Sequence, residues 1–78
     1  MTPQYEPKTT AEFLGYVVEE CGEVLQAVGK TQRWGLMSVN PELPRNKQES
    51  NISWIRREIE DLRGALDRLT KHLDDVYG

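Results

Sequence analysis

Apolar residues recur along two stretches of the chain with the three-and-four spacing of a helix face. In the first, Leu14, Val17, Val18, Cys21, Val24, Leu25 and Val28 share one side of a helical wheel. Thr9-Thr10-Ala11-Glu12 has the form of a capping box, in which the Thr9 hydroxyl and the Glu12 carboxylate each accept from the other's backbone N–H. Gly29 is the expected stop. In the second stretch Ile52, Ile55, Ile59, Leu62, Leu66, Leu69, Leu73 and Val76 carry an apolar face nearly to the last residue, with Asn51 or Ser53 as the expected cap. At 1.5 Å per residue that helix is roughly 38 Å long.

The text between these stretches, Lys30 to Ser50, contains Gly35, Pro41, Pro44 and two asparagines, which break any long helix or strand. Loops of this length without structure of their own are usually functional or mobile. Residues Met1 to Lys8 hold two prolines and no period, so they form an extended arm ahead of a single helical domain, residues 9–78. The expected architecture is all-α: two long antiparallel helices joined by a long loop, assembling by oligomerisation into a four-helix bundle. A chain of 78 residues buries only a modest part of its surface alone, so a homo-oligomer, dimer or tetramer, is expected. Gly15, Gly22 and Gly29 recur every seventh residue beside the apolar stripe, at a cost of about 1 kcal/mol each relative to alanine. That repeat points to a second contact surface and an assembly larger than a dimer.

Composition narrows the partners. Hydrophobic residues make up 37% and charged residues 29%, with mean hydropathy −0.67, the profile of a soluble helical protein without a thick core. The net charge of −3 gives no cationic field to collect the phosphates of a nucleic acid polymer. A lone cysteine makes no internal disulfide, and no apolar run approaches the roughly 20 residues needed to span a membrane. "MTPQYEPKTT" lacks the basic start and apolar stretch of a secretory signal, so a reducing, cytoplasmic setting is expected.

The acids carry the candidate chemistry. With about 100° per residue and the zero at Leu14, Glu20 falls near 240° and Glu23 near 180°, inside and at the edge of the apolar arc. Glu19, near 140°, points further out. In the second helix, with the zero at Ile52, Glu58 and Asp61 occupy the same two angles. Each helix thus offers an i, i+3 acid pair on the same flank of its stripe, and packing the stripes together brings four carboxylates to one place.

Carboxylates crowded against apolar side chains must protonate, pair with a base, or ligate a cation. Arg57 is one available base, whereas Arg56 and Arg63 sit on the other side of the stripe. A divalent ion is the more economical partner, and an all-carboxylate set favours Mg²⁺, with Mn²⁺ able to substitute. A di-iron bundle would need Glu-x-x-His pairs, and the only histidine, His72, lies far past Asp61, as a surface or packing residue.

Glu19-Glu20-Cys21-Gly22-Glu23 followed by Glu58-Ile59-Glu60-Asp61 resembles the EExxE…ExxD signature of the MazG-like, all-α nucleoside triphosphate pyrophosphohydrolases, over about Ala11 to Leu69. The resemblance implies Mg²⁺-dependent cleavage of a nucleoside triphosphate to monophosphate and pyrophosphate. Glu20, Glu23, Glu58 and Asp61 match the family's metal ligands, and Glu19 matches the first acid of the motif, to which we assign orientation or deprotonation of the attacking water. Such chemistry needs no covalent nucleophile, so Cys21, at the centre of the stripe, is expected to be core. Gly64 and Ala65 are small where relatives often carry larger residues.

Lys30, Arg33, Arg45 and Lys47 are the expected contacts for the triphosphate, Trp34 for the base, and Tyr16 for a pocket wall beside the metal. Trp54 is expected in the core. Two other classes share many of these features: a non-catalytic helical oligomer binding a partner through its acidic surface, and a phosphoribosyl-ATP pyrophosphohydrolase. All five acids of the signature argue against the first, and the long Trp-bearing loop argues against the second.

Overall fold

In the computed structural model, residues 6–39 and 43–78 are described. Helix α1 spans Thr10–Trp34 and helix α2 spans Asn51–Tyr77, with a short 3₁₀ turn at Arg45–Lys47 and no strand among the described residues. The two helices pack on each other. Contacts at both ends fix them as antiparallel: Phe13 stacks on His72 with ring centroids 4.5 Å apart, and the Asn51 side chain donates to the Gly35 carbonyl at 2.8 Å. The result is an elongated hairpin with extents of 46 × 24 × 15 Å. Residues 1–5 of the expected arm, and Asn40 and Pro41 among the expected loop breakers, lie outside the described residues.

The start of α1 is the capping box anticipated from its sequence. Thr9 is extended, its hydroxyl accepts from the Glu12 N–H at 3.1 Å, and its own N–H donates to Glu12 Oε1 at 3.2 Å. The end differs from expectation. Gly29 stays helical, and the helix runs five residues further, to Trp34. Glycine tolerates a helix interior at modest cost, whereas a helix stops where the backbone turns to positive φ. That residue is Gly35, at φ 96°, whose N–H still donates to the Thr31 carbonyl.

The cap of α2 also differs. Ser50 takes the role expected of Asn51 or Ser53: its hydroxyl accepts from the Ser53 N–H at 3.3 Å. Asn51 is the first helical residue and is buried, because its side chain holds Gly35 while its N–H donates to the Ser38 carbonyl at 2.9 Å. Ile52 N–H donates to the Leu36 carbonyl at the same distance. A three-bond clasp thus ties the end of α1 to the start of α2.

The buried apolar residues of the described chain are Tyr16, Ala27 and Ala65. Ala27 and Ala65 lie near 220° on their wheels, between the two acids of each pair, so small side chains bring the helix backbones close along that line. The stripe itself is only half used. Leu14, Val18, Leu25 and Val28 on α1, and Leu66 and Leu73 on α2, are exposed, with Val18 and Leu25 at 71%. Cys21, expected in the core, is exposed with them, because α2 packs against the acidic flank of the stripe rather than its centre.

In an antiparallel pair the wheels turn in opposite senses, so both leftover apolar strips fall on one side of the hairpin and the outer acids, Glu23 and Asp61, on the other. The protomer therefore has one apolar face and one acidic face.

Candidate metal centre

Glu20 and Glu58 occupy the helix–helix contact at mid-length, each only 3% exposed, and Glu23 and Asp61 follow one turn later at its half-buried edge. The i, i+3 spacing sets this pattern, since one member of each pair points between the helices and the other toward the rim. The four carboxylates each present an oxygen within 4.8 Å of the others. Glu19 is exposed next to them.

Crowding leaves an electrostatic signature. Burial pushes the Glu20 carboxyl above its ordinary value, and the charges of Asp61, Glu58 and Glu19 push it the same way. Glu23 rises from 4.5 to about 7, first because it shares a hydrogen bond with the Glu58 side chain, then through burial and the neighbouring acids. Tyr16, buried against the same cluster, has its phenol raised by burial and then by Glu20. In this arrangement a proton is retained near neutrality where no cation supplies the missing charge.

The surroundings of Glu58 are lopsided. Its Oε1 receives the Trp54 indole N–H at 3.2 Å and lies 3.3 Å from Arg57 Nη1. Its Oε2 is buried and meets no hydrogen-bond donor among the described residues. A buried carboxylate oxygen without a donor costs several kcal/mol in an apolar setting unless a cation covers it. The donor set, four carboxylates with no nitrogen or sulfur, fits a hard divalent ion of the Mg²⁺ type. Arg57 does not fill that place, since its guanidinium is half exposed and is held by Glu49 at 2.5 Å. Arg63 pairs with Glu60 at 2.9 Å, away from the cluster.

Beside the cluster, toward the loop, lies a groove of about 800 Å³ whose lining includes Gln26, Lys30, Trp34, Asn51, Trp54 and Arg57. Lys30 and Trp34 reach it together because they are four residues apart on the extended end of α1. Lys30 Nζ sits 5.6 Å from the centre of the Trp54 ring. Arg33, about 100° round the helix from Trp34, does not line the groove, and neither do the exposed Arg45 and Lys47 of the 3₁₀ turn. Tyr16 is on the cluster side instead.

Two contributors were not singled out from the sequence as part of a site. Trp54 is not simply core, since its indole edge contacts Glu58 and its face lines the groove; the i, i+4 spacing to Glu58 was the available signal. Asn51 joins the groove wall through its tie to Gly35, a long-range contact that no local pattern encodes. His72, read as a surface or packing residue, stacks on Phe13 and lies 2.7 Å from the Thr10 hydroxyl, at the far end of the hairpin from the groove. No helix among the described residues is long and apolar enough to cross a membrane. No protein-family model, curated protein or solved structure matches the chain.

Proposed function

We propose that the chain is a Mg²⁺-dependent nucleoside triphosphate pyrophosphohydrolase of the MazG-like kind, releasing a nucleoside monophosphate and pyrophosphate, with Mn²⁺ able to replace Mg²⁺. One observation carries the reading: carboxylates from both helices present oxygens within 4.8 Å of one another, and one of them, Glu58, has a buried Oε2 that no donor among the described residues reaches. A bound Mg²⁺ supplies neutralising charge for the phosphate oxygens. Glu20, Glu23, Glu58 and Asp61 hold it. Glu19, exposed at the edge of the cluster, orients the attacking water and takes its proton. The water oxygen bonds the α-phosphorus as the bond from that phosphorus to the α–β bridging oxygen breaks, and pyrophosphate leaves with the bridging oxygen.

The groove supports a nucleotide, since Trp34 and Trp54 offer aromatic faces to a base and Lys30 and Arg57 offer cationic donors to phosphate. The apolar face supports a homo-oligomer. A hairpin whose described core holds one tyrosine and two alanines has little burial of its own, and Val18, Leu25, Leu66 and Leu73 form an uncharged strip suited to a second copy. The test is pyrophosphate release from each nucleoside triphosphate with Mg²⁺, using wild type, Glu20→Gln and Glu58→Gln. Release abolished in both variants supports the assignment. Release unchanged in either one, or absent from folded wild type with every nucleotide, refutes it.

A further inference from the structure

Metal-binding carboxylates are oriented by what donates to their other oxygen. Besides the hydrogen bond Glu58 shares with Glu23, two N–H groups reach its Oε1, and they act differently. Arg57 brings a full positive charge that competes with a metal for the carboxylate, yet it is half exposed and shared with Glu49, so water screens its hold. Trp54 brings a neutral N–H. It fixes the direction of the carboxylate without neutralising it, and so leaves the whole negative charge for a cation on Oε2.

The placement of Trp54 follows from its spacing. Its position four residues before Glu58 stacks the two side chains on one helix face. The indole is half-buried in the wall between the cluster and the groove, with the edge toward the acids and the face toward Lys30. A cation over an indole face is attracted by the ring electrons and draws on them, which makes the ring N–H a better donor. The sequence Lys30, Trp54, Glu58 is therefore a continuous polar path from the groove to the cluster.

We propose that Trp54 is a positioning residue for the metal ligand Glu58: its indole N–H turns Glu58 Oε2 toward the cluster and connects the groove to the metal through Lys30. This rests on the metal reading above and deepens it. Trp54 itself touches neither the reacting phosphate nor the water.

The test measures Mn²⁺ affinity by electron paramagnetic resonance on the full chain, without nucleotide. Trp54→Phe keeps a ring and removes the N–H; Trp54→Gln keeps an N–H donor and removes the ring. We expect Trp54→Phe to weaken Mn²⁺ binding by about 10-fold or more, and Trp54→Gln to recover part of that loss. Equal affinity of Trp54→Phe and wild type overturns the proposal, as does equal weakening in both variants, which would assign the effect to the bulk of the indole rather than its N–H. A second readout does not depend on how well those variants fold. In Trp34→Phe the remaining tryptophan is Trp54, and its emission should change on adding Mg²⁺ and saturate with metal binding. Emission that is indifferent to bound metal overturns the proposal, while wild type that binds no Mn²⁺ removes the metal reading itself and this inference with it.

Discussion

Metal-stripped protein should lose stability as the pH rises from about 4.5 to 7.5, the reverse of ordinary acid denaturation. The cause is Glu23, whose folded-state value is raised from 4.5 to about 7. Below 4.5 the folded and unfolded chains both carry its proton and nothing is lost. Between 4.5 and 7 the unfolded chain gives up the proton before the folded one does, so the folded state binds more protons and its stability falls with each step in pH. At 1.36 kcal/mol per pH unit, the displacement from 4.5 to about 7 corresponds to at most about 3 kcal/mol. Glu20 is raised as well and adds with the same sign. For a domain of this size that is a fall in Tm of about 10–20 °C.

Circular-dichroism melts at pH 5 and pH 7.5, in metal-stripped buffer at one fixed protein concentration, read the effect directly. Glu23→Gln, which imitates the protonated acid, should melt higher than wild type at pH 7.5 and lose most of the pH slope. Millimolar Mg²⁺ should raise the wild-type Tm at pH 7.5 and do much less for Glu23→Gln, since a ligand of the native state stabilises in proportion to its binding. A flat Tm between the two pH values, or an undiminished slope in Glu23→Gln, would refute the electrostatic account of the cluster.

Four further outcomes test the fold. Ala27→Leu, at a fully buried position in the helix contact, should cost about 1–3 kcal/mol by overpacking, seen in urea melts. Thr9→Ala removes the capping hydroxyl and should cost about 1 kcal/mol, with the loss confined to α1 in hydrogen exchange. Leu25→Asp should shift the protein to smaller species in sedimentation equilibrium, because Leu25 lies in the strip assigned to a second copy. Gly22→Ala should raise stability by up to about 1 kcal/mol, since a Cβ there meets nothing within 4 Å of its own protomer; a drop instead would show that another subunit's helix packs on the glycine repeat.

The two helices were legible because their apolar spacing is regular over several turns, and the four acids were legible because i, i+3 pairs on equal flanks must meet when the helices pack. What the period leaves open is which part of a wide apolar stripe the partner helix takes. The packing line runs through Tyr16, Glu20 and Ala27, so Cys21 and Leu25, central on the wheel, are left in the open. Alanine has no voice in a hydrophobic pattern, and Ala27 and Ala65 mark the closest approach of the helices only once the backbones are seen. The stop at Gly35 rather than Gly29 turns on backbone dihedrals and on the tie from Asn51 to the Gly35 carbonyl, neither of which is visible from residue type alone.

The clasp that joins Gly35, Leu36 and Ser38 to Asn51 and Ile52 closes the connecting segment at its root. Whatever runs between those anchored ends can change in length without levering the helices apart, because each doubling of a closed loop costs only about 0.6 kcal/mol of entropy. The groove borders this segment, whereas the carboxylates belong to the rigid rods. The segment's share of the groove lining can therefore be changed while Lys30, Trp54 and the four carboxylates stay in place on the helices, and swapping the segment while keeping Asn51 and Gly35 leaves the clasp intact.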